Sequence, residues 1–178
     1  IEPEFASVFR VMRRDGSTVS TLIHQAWERG DLGTLTKGSP TRATGAHVSI
    51  VGHISGEELR REMTMTDAAS GFGNRFLFVC ARRSKCLPHG GALADSDVLE
   101  FAAGLRESVR FAQTVDRVVM DEAAREVWER VYPRLTRERT GMLGAITSRG
   151  APYVLRIASI YALLDQSDVI TKDYLESA

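Results

Sequence analysis

Apolar side chains recur every three to four residues over much of the chain, the spacing that one face of a helix requires. This pattern predicts helices over residues 5–14, 17–29, 95–111, 122–139, 141–148 and 153–164, and a last helix after Thr171. Pro133 predicts a kink, because proline cannot donate the backbone hydrogen bond of a helix interior. The second half of the chain is therefore expected to be mainly helical.

A different pattern occupies residues 44–85. Residues 46–51 and 76–81 are short, nearly continuous apolar runs, which are typical of strands buried on both faces. Between them, Ser55 followed by Glu58 predicts a capping box at a helix start, and Gly71 begins a turn that ends this helix. Strand, helix and strand in this order predict a parallel sheet, with ligands at the carboxyl ends of its strands. His53 would lie at that edge.

The remaining segments divide the chain. Residues 113–120 are predicted to form an edge strand, and residues 30–42 a polar loop long enough to be functional. Residues 87–92 form a proline- and glycine-containing connector. We therefore expect an α/β domain over residues 1–91 and a mainly helical domain over residues 92–178.

Charge and cysteine content narrow the function classes. The 23 Lys and Arg residues balance 23 Asp and Glu residues, so no global field attracts nucleic acid or a membrane surface. No apolar run reaches the roughly 18 residues of a membrane helix. The two cysteines lack zinc-finger spacing, which favours a reducing, cytoplasmic setting.

Three separated motifs together resemble a known family. They are IEPEF at residues 1–5, HVSIVGHIS followed by GFGNRF within residues 47–76, and SRGAPYVLRIASIYALLD followed by ITKDYL within residues 148–175. The chain resembles the C-terminal part, from Walker B onward, of RecA-like P-loop ATPases of phages, plasmids and integrated elements. Many of these are joined to primase-polymerase modules and are thought to be replicative helicases. The resemblance implies an α/β fold, part of a RecA-like P-loop NTPase sheet with a helical lid.

The resemblance also implies roles for residues near ATP. Glu2 would hold Mg²⁺ and Glu4 would polarise the attacking water, although the two roles could be exchanged. His53 would sense the γ-phosphate. Without the resemblance, the two glutamates fit a solvated terminus better than a catalytic pair, and His53 is equally a histidine bonded to a backbone carbonyl.

A second group of residues is implied to act farther from the metal. Arg75 would be an arginine finger that reaches a neighbouring subunit's nucleotide, which requires a homo-oligomer, most simply a hexamer. Asn74 beside it would contact nucleotide, and Arg149 or Arg156 would be a lid arginine. The plain alternative for Arg75 is a salt bridge to Glu58 or Asp67, and for Arg156 a bond to Asp165.

Arg82, Arg83 and Lys85 are the candidate contacts with single-stranded DNA, although such a cluster is also common on plain surfaces. The phosphate-binding loop GxxxxGK[ST] does not occur in the 178 residues of the sequence, so we expect the chain alone to bind ATP poorly. Two alternatives stay open. One is a non-catalytic DNA-binding or assembly scaffold derived from a P-loop ATPase, and the other a small-molecule α/β enzyme that uses His53 and Glu4.

Overall fold

The structure, a computed structural model, describes residues 1–34 and 41–178. The middle of the predicted loop 30–42 lies outside the described residues. The helices are α1 (Ala6–Met12), α2 (Val19–Glu28), α3 (Gly56–Glu62), α4 (Met65–Ala69), α5 (Asp95–Ala112), α6 (Glu122–Leu135), α7 (Gly141–Thr147), α8 (Gly150–Leu164) and α9 (Lys172–Ser177). The strands are β1 (Leu32–Gly33), β2 (Arg42–Ala43), β3 (Val119–Met120) and β4 (Val169–Ile170), and a 3-10 turn covers Gly73–Arg75.

The predicted fold, part of a RecA-like P-loop NTPase sheet with a helical lid, is wrong. The described residues are mostly helical and contain two small sheets, an antiparallel β1–β2 pair and a parallel β3–β4 pair. Residues 46–51 and 76–81 form no strand. Ile50 and Val79 within them are 41% and 79% exposed. A strand buried on both faces needs a paired strand on each side and helices above and below. Among the described residues, the run 46–51 has backbone partners only near its two ends, at Ala46 and Val51.

The helical predictions are confirmed with shifted ends. The 122–139 pattern gives α6, which contains Pro133 and ends at Leu135. The capping box at Ser55 and Glu58 is present at the start of α3. The single helix predicted after Ser55 is two helices, because Thr64 and Asp67 form a second capping box that starts α4.

Contacts divide the chain into two compact units. Unit 1 comprises Ile1–Leu77 with Glu138–Ser148, and unit 2 comprises Phe78–Arg137 with Arg149–Ala178. Each unit has its own hydrophobic core, so each is described by itself.

The core of unit 1 is aromatic. Phe5, Phe9, Phe72 and Met63 are buried there, and Phe76 packs against them. Phe5 meets Phe9 edge-on at a centroid distance of 5.7 Å and Phe76 at 5.1 Å. Such edge-to-face contacts suit the aromatic quadrupole, and they fix the start of α1 against the turn around Gly73–Arg75.

The core of unit 2 is built from small and branched side chains on helices. Its buried members are Ala124, Val127, Ala158, Ala162, Ile170 and Leu175. Alanines on α6 and α8 let these helices pack closely, and β4 lies against them through Ile170. The predicted edge strand 113–120 is reduced to β3, which pairs in parallel with β4 at Val119↔Val169 and Met120↔Ile170.

Candidate functional site

A short parallel backbone pairing joins the N terminus of unit 1 to the segment that ends at His53. The Glu2 N–H donates to the Val51 carbonyl at 2.8 Å, and the His53 N–H donates to the Glu2 carbonyl at 3.0 Å. The Phe5 N–H then donates to the His53 carbonyl at 2.9 Å. We call this pairing the Glu–His ladder. It brings the segment of Glu2 and Glu4 alongside that of His53.

The ladder is held by a close contact between Gly52 and Phe5. A Cβ atom at Gly52 would lie 2.5 Å from Cδ2 of the Phe5 ring and 2.8 Å from its Cγ. Phe5 is only 5% exposed and is wedged among other rings, so its ring cannot swing away. Only glycine at position 52 therefore lets the two backbones approach to hydrogen-bonding distance.

The polar side chains of the ladder are accessible. Glu4 and His53 are exposed, and Glu2 is half-buried. One carboxylate oxygen of Glu2, Oε1, accepts a hydrogen bond from the Glu4 N–H at 3.1 Å. The side chains of Glu4 and His53 can thus meet a ligand from solvent without any opening of the fold.

Arg75 lies inside unit 1. Its side chain is 9% exposed and forms a salt bridge from Nη2 to Glu28 Oε1 of α2 at 2.7 Å. Its Nη1 donates to the Gly71 carbonyl at 2.5 Å, and its buried Nε has no hydrogen-bond partner among the described residues. The anticipated alternative partners, Glu58 and Asp67, are occupied by their own capping boxes.

Asn74 joins the Gly73–Arg75 turn to the end of α7. Its Nδ2 donates to Ser148 Oγ at 2.8 Å, while its buried Oδ1 has no partner among residues 1–34 and 41–178. Gly73 also lies close to α7, since a Cβ there would be 3.4 Å from Ile146, an ordinary van der Waals contact. The described partner of Asn74 is therefore a side chain of the same unit.

The remaining candidates belong to unit 2. Arg82, Arg83 and Lys85 are exposed in a segment without helix or strand. Arg149 is the residue that precedes α8, and Arg156 is exposed on α8. The anticipated acceptor Asp165 receives a hydrogen bond from the Tyr174 hydroxyl at 3.0 Å. The structure thus groups Glu2, Glu4, His53, Asn74 and Arg75 in one unit and the other basic residues in the second.

Sequence reasoning missed an ion cluster around Glu62. This carboxylate is 7% exposed, and it accepts from Arg13 Nη1 at 2.5 Å and from Arg61 Nε at 3.1 Å. Arg13 also donates from Nη2 to the Glu62 carbonyl oxygen. Hydrogen bonds from Arg13 and then from Arg61 lower the pKa of Glu62. Position 13 lies 49 residues before position 62, so no local spacing could reveal the pair.

Comparisons of the chain with protein-family models, with curated proteins and with solved structures found no match. The family resemblance of the sequence motifs therefore stays a prediction. The described residues contain no group of three or more His, Cys, Asp or Glu side chains placed to hold a metal ion. In the same part of the chain, no helix has both the length and the apolar character needed to cross a membrane.

Mg²⁺ that binds together with ATP needs fewer protein ligands than the three or more side chains of a metal site formed by the protein alone. Mg²⁺ in nucleotide sites takes one or two carboxylates and fills its other positions with phosphate oxygens and water. Glu2 bonds the Glu4 N–H through Oε1, which leaves Oε2 out of that bond, and Glu4 is exposed; both carboxylates have the chemistry for that role. The donor set of the ladder fits a metal that arrives with its nucleotide.

Proposed function

We propose that this chain contributes the metal- and water-handling residues of an ATP-hydrolysing motor that moves single-stranded DNA, of the mobile-element helicase family that its motifs resemble. The observation that supports this most is the Glu–His ladder. It holds two carboxylates and a histidine that lies 49 or more positions later in the sequence on adjacent backbone segments. Hydrolysis of a phosphoanhydride requires this combination of metal ligand, water-orienting group and phosphate contact.

Each residue of the ladder has one role in this proposal. Glu2 holds Mg²⁺, Glu4 orients the attacking water, and His53 hydrogen-bonds the γ-phosphate. The loop that cradles the phosphates must come from outside these 178 residues, because they contain no GxxxxGK[ST] motif. Asn74, which lies in the same unit as the ladder, contacts the nucleotide, and a primase module is a fitting partner.

The proposal is tested on the native gene product that contains this chain. Glu4→Gln keeps the size of the side chain but cannot polarise water, so DNA-stimulated ATPase activity should fall at least ~100-fold while Mg-ATP binding persists. His53→Ala should lower activity and leave the melting temperature unchanged, since its side chain is exposed. Glu57→Gln is the matched control, because Glu57 is an exposed glutamate outside the ladder. Full activity in Glu4→Gln would refute the proposal.

Arg75 requires a separate test, because its guanidinium already serves Glu28. As a finger in trans, it would have to leave Glu28 and reach a neighbouring subunit. Subunits with Arg75→Ala and subunits with Glu4→Gln should each be inactive. Mixing them should restore part of the activity, since some sites then combine an intact Glu4 with a neighbour's Arg75. Loss of activity without recovery on mixing would contradict the role in trans.

The second candidate function is a non-catalytic DNA-binding scaffold. The internal salt bridge of Arg75 favours it, because a guanidinium held at 2.7 Å from Glu28 is not poised for another subunit. A scaffold predicts that Glu4→Gln leaves DNA binding and every biological readout intact. In either case, replacing Arg82, Arg83 and Lys85 with Ala should reduce the slope of log affinity against log salt by about 2 for single strands. An unchanged slope would remove these residues from the DNA path.

A further inference from the structure

Most residues of helix α5 of unit 2 are exposed. Every residue from position 95 to position 107 is exposed. Four large apolar side chains are among the exposed residues of this helix: Val98 at 47%, Phe101 at 74%, Leu105 at 56% and Val109 at 47%. Their spacings of three, four and four residues place them along one face of the helix. We call this face the α5 stripe.

Only the C-terminal part of α5 is fixed to unit 2. Ser108 is 8% exposed, and its hydroxyl donates to the Leu164 carbonyl at the end of α8 at 2.7 Å. The same hydroxyl lies 3.2 Å from the Gly104 carbonyl. This anchor holds the helix in place and leaves the stripe open to a partner. An apolar helix face of this length costs solubility unless something covers it.

The order of residues along the stripe is nearly the same in both directions. Val98 and Val109 lie at its ends, and Phe101 and Leu105 lie inside them. The midpoint falls near position 103, and the small residue beside it on the stripe side is Ala102, about 40° round from Val98. An identical helix laid antiparallel across this midpoint would place Phe101 against Leu105 in both copies. Small residues at the crossing let two helix axes approach closely.

Charge favours the same antiparallel orientation. The first turns of α5 carry Asp95, Asp97 and Glu100, and its last turns carry Arg106 and Arg110. One acid, Glu107, stands between these two arginines and lies about 180° round from Val98, away from the stripe. Asp95 and Arg106 are eleven residues apart, about three turns, so both lie on one flank of the stripe. An antiparallel copy brings its acidic end towards the basic end of the first and also opposes the helix dipoles. A parallel copy would set like charges side by side.

We propose that α5 is the surface through which two copies of this chain associate, as an antiparallel helix pair centred near position 103. The inference is independent of the proposed motor function. One helix pair is a small interface, at the low end of the areas that specific complexes bury. A dissociation constant in the micromolar range, about 1–100 μM, is therefore expected. Chemistry at the Glu–His ladder plays no part in it.

Sedimentation equilibrium of the chain from about 1 to 300 μM tests the proposal. The wild-type chain should show a concentration-dependent monomer–dimer equilibrium. Phe101→Asp and Leu105→Asp should each weaken the dimer at least ~30-fold, the size expected when a central apolar anchor is lost. Ala103→Asp is the matched control, because Ala103 is exposed on the same helix but lies about 140° round from Val98. It should leave the equilibrium unchanged.

Circular dichroism must show that the helix content of each variant is retained, which the exposure of these side chains favours. A wild-type chain that stays monomeric over the whole range overturns the proposal. So does a dimer that Phe101→Asp weakens no more than Ala103→Asp does.

A charge-reversal cycle tests the antiparallel orientation. Asp95→Arg and Arg106→Asp should each weaken the dimer about 3-fold or more at low salt, because each sets like charges on facing flanks. The doubly reversed chain should return towards the wild-type affinity. Additive weakening in the double variant overturns the antiparallel arrangement.

Discussion

Substituting Gly52 with alanine would test the contact that holds the Glu–His ladder together. The new methyl group would lie 2.5 Å from Cδ2 and 3.1 Å from Cβ of Phe5. Ordinary carbon–carbon contacts are about 3.5–4.0 Å, so ring and backbone must separate by about 1 Å. Phe5 cannot yield freely, because Phe9 and Phe76 pack against its ring.

The expected effect is a net loss of stability. Forcing an extra methyl group into a packed core costs about 1–3 kcal/mol. Replacing glycine also lowers the conformational entropy of the unfolded chain, which offsets the loss of stability by about 0.4–1 kcal/mol. The difference is a destabilisation of unit 1 by about 1–2 kcal/mol. Gly33→Ala is the matched control, because nothing lies within 4 Å of a Cβ there, and it should not destabilise unit 1.

Urea unfolding followed by tryptophan fluorescence measures this effect. Trp27 is in unit 1 and Trp128 in unit 2, and the chain has only these two tryptophans, so a Trp128→Phe background reports unit 1 alone. Adding Phe5→Leu should recover part of the loss, with a coupling energy of about 0.5–3 kcal/mol. If Gly52→Ala is as stable as Gly33→Ala, the close contact with Phe5 does not exist.

Four further variants test the packing of unit 1. The pKa of Glu62 is lower in the folded state than its ordinary value of 4.5, so Glu62 stabilises the fold above pH 4.5 and loses that contribution as the pH falls through its folded-state pKa. Glu62→Gln should therefore flatten the acid side of a plot of stability against pH. An unchanged acid side would contradict the pairing of Glu62 with Arg13. Ser55→Ala should cost about 1 kcal/mol in urea unfolding through loss of its capping box, and no change would argue against that cap. Arg75→Met should lower the free energy of unfolding by about 1.5–3 kcal/mol. Glu28→Gln should lower it by less than about 1 kcal/mol, since Glu28 is 49% exposed. Equal losses in the two variants would contradict a buried guanidinium at Arg75.

Local signals in the sequence predicted local structure correctly. The amphipathic spacing of α5 and the capping box of Ser55 and Glu58 depend on residues within one or two turns, and both are present. The second capping box, formed by Thr64 and Asp67, carries the same kind of signal, Thr-x-x-Asp, and was overlooked inside what looked like one helix. The sequence therefore contains a local signal even for the helix boundary that was not predicted.

The sheet could not be predicted, because a strand depends on partners that are distant in sequence. Residues 46–51 have the composition of a buried strand, but their backbone is held near its two ends, by Ala46 N–H to the Gly30 carbonyl and by Glu2 N–H to the Val51 carbonyl. Val48 between them is 51% exposed. An apolar run shows what a segment can bury and not which neighbour will bury it.

The candidate site was predicted only in part, because its pairings also join residues that are distant in sequence. The polar residues were expected at the ends of adjacent strands, and the structure does place Glu2 beside His53, through one isolated parallel bridge between Glu2 and Gly52. The partner of Arg75 was not foreseen, since Glu28 lies 47 positions earlier on another helix. Pairings that span such distances become visible only once the chain is folded.

Because the ladder packs against the core of unit 1, only some variants can separate an effect on catalysis from an effect on folding. Gly52 and Phe5 hold the ladder and also belong to the packing of unit 1, so losing activity there would not separate chemistry from folding. Arg75 has the same weakness, because its side chain is buried and paired. Glu4 does not, since its side chain is exposed and its backbone carbonyl, which accepts from the Ser7 N–H, survives substitution. A stable Glu4→Gln protein without ATPase activity would therefore be direct support for a catalytic ladder, and a stable, fully active one would leave the scaffold as the function.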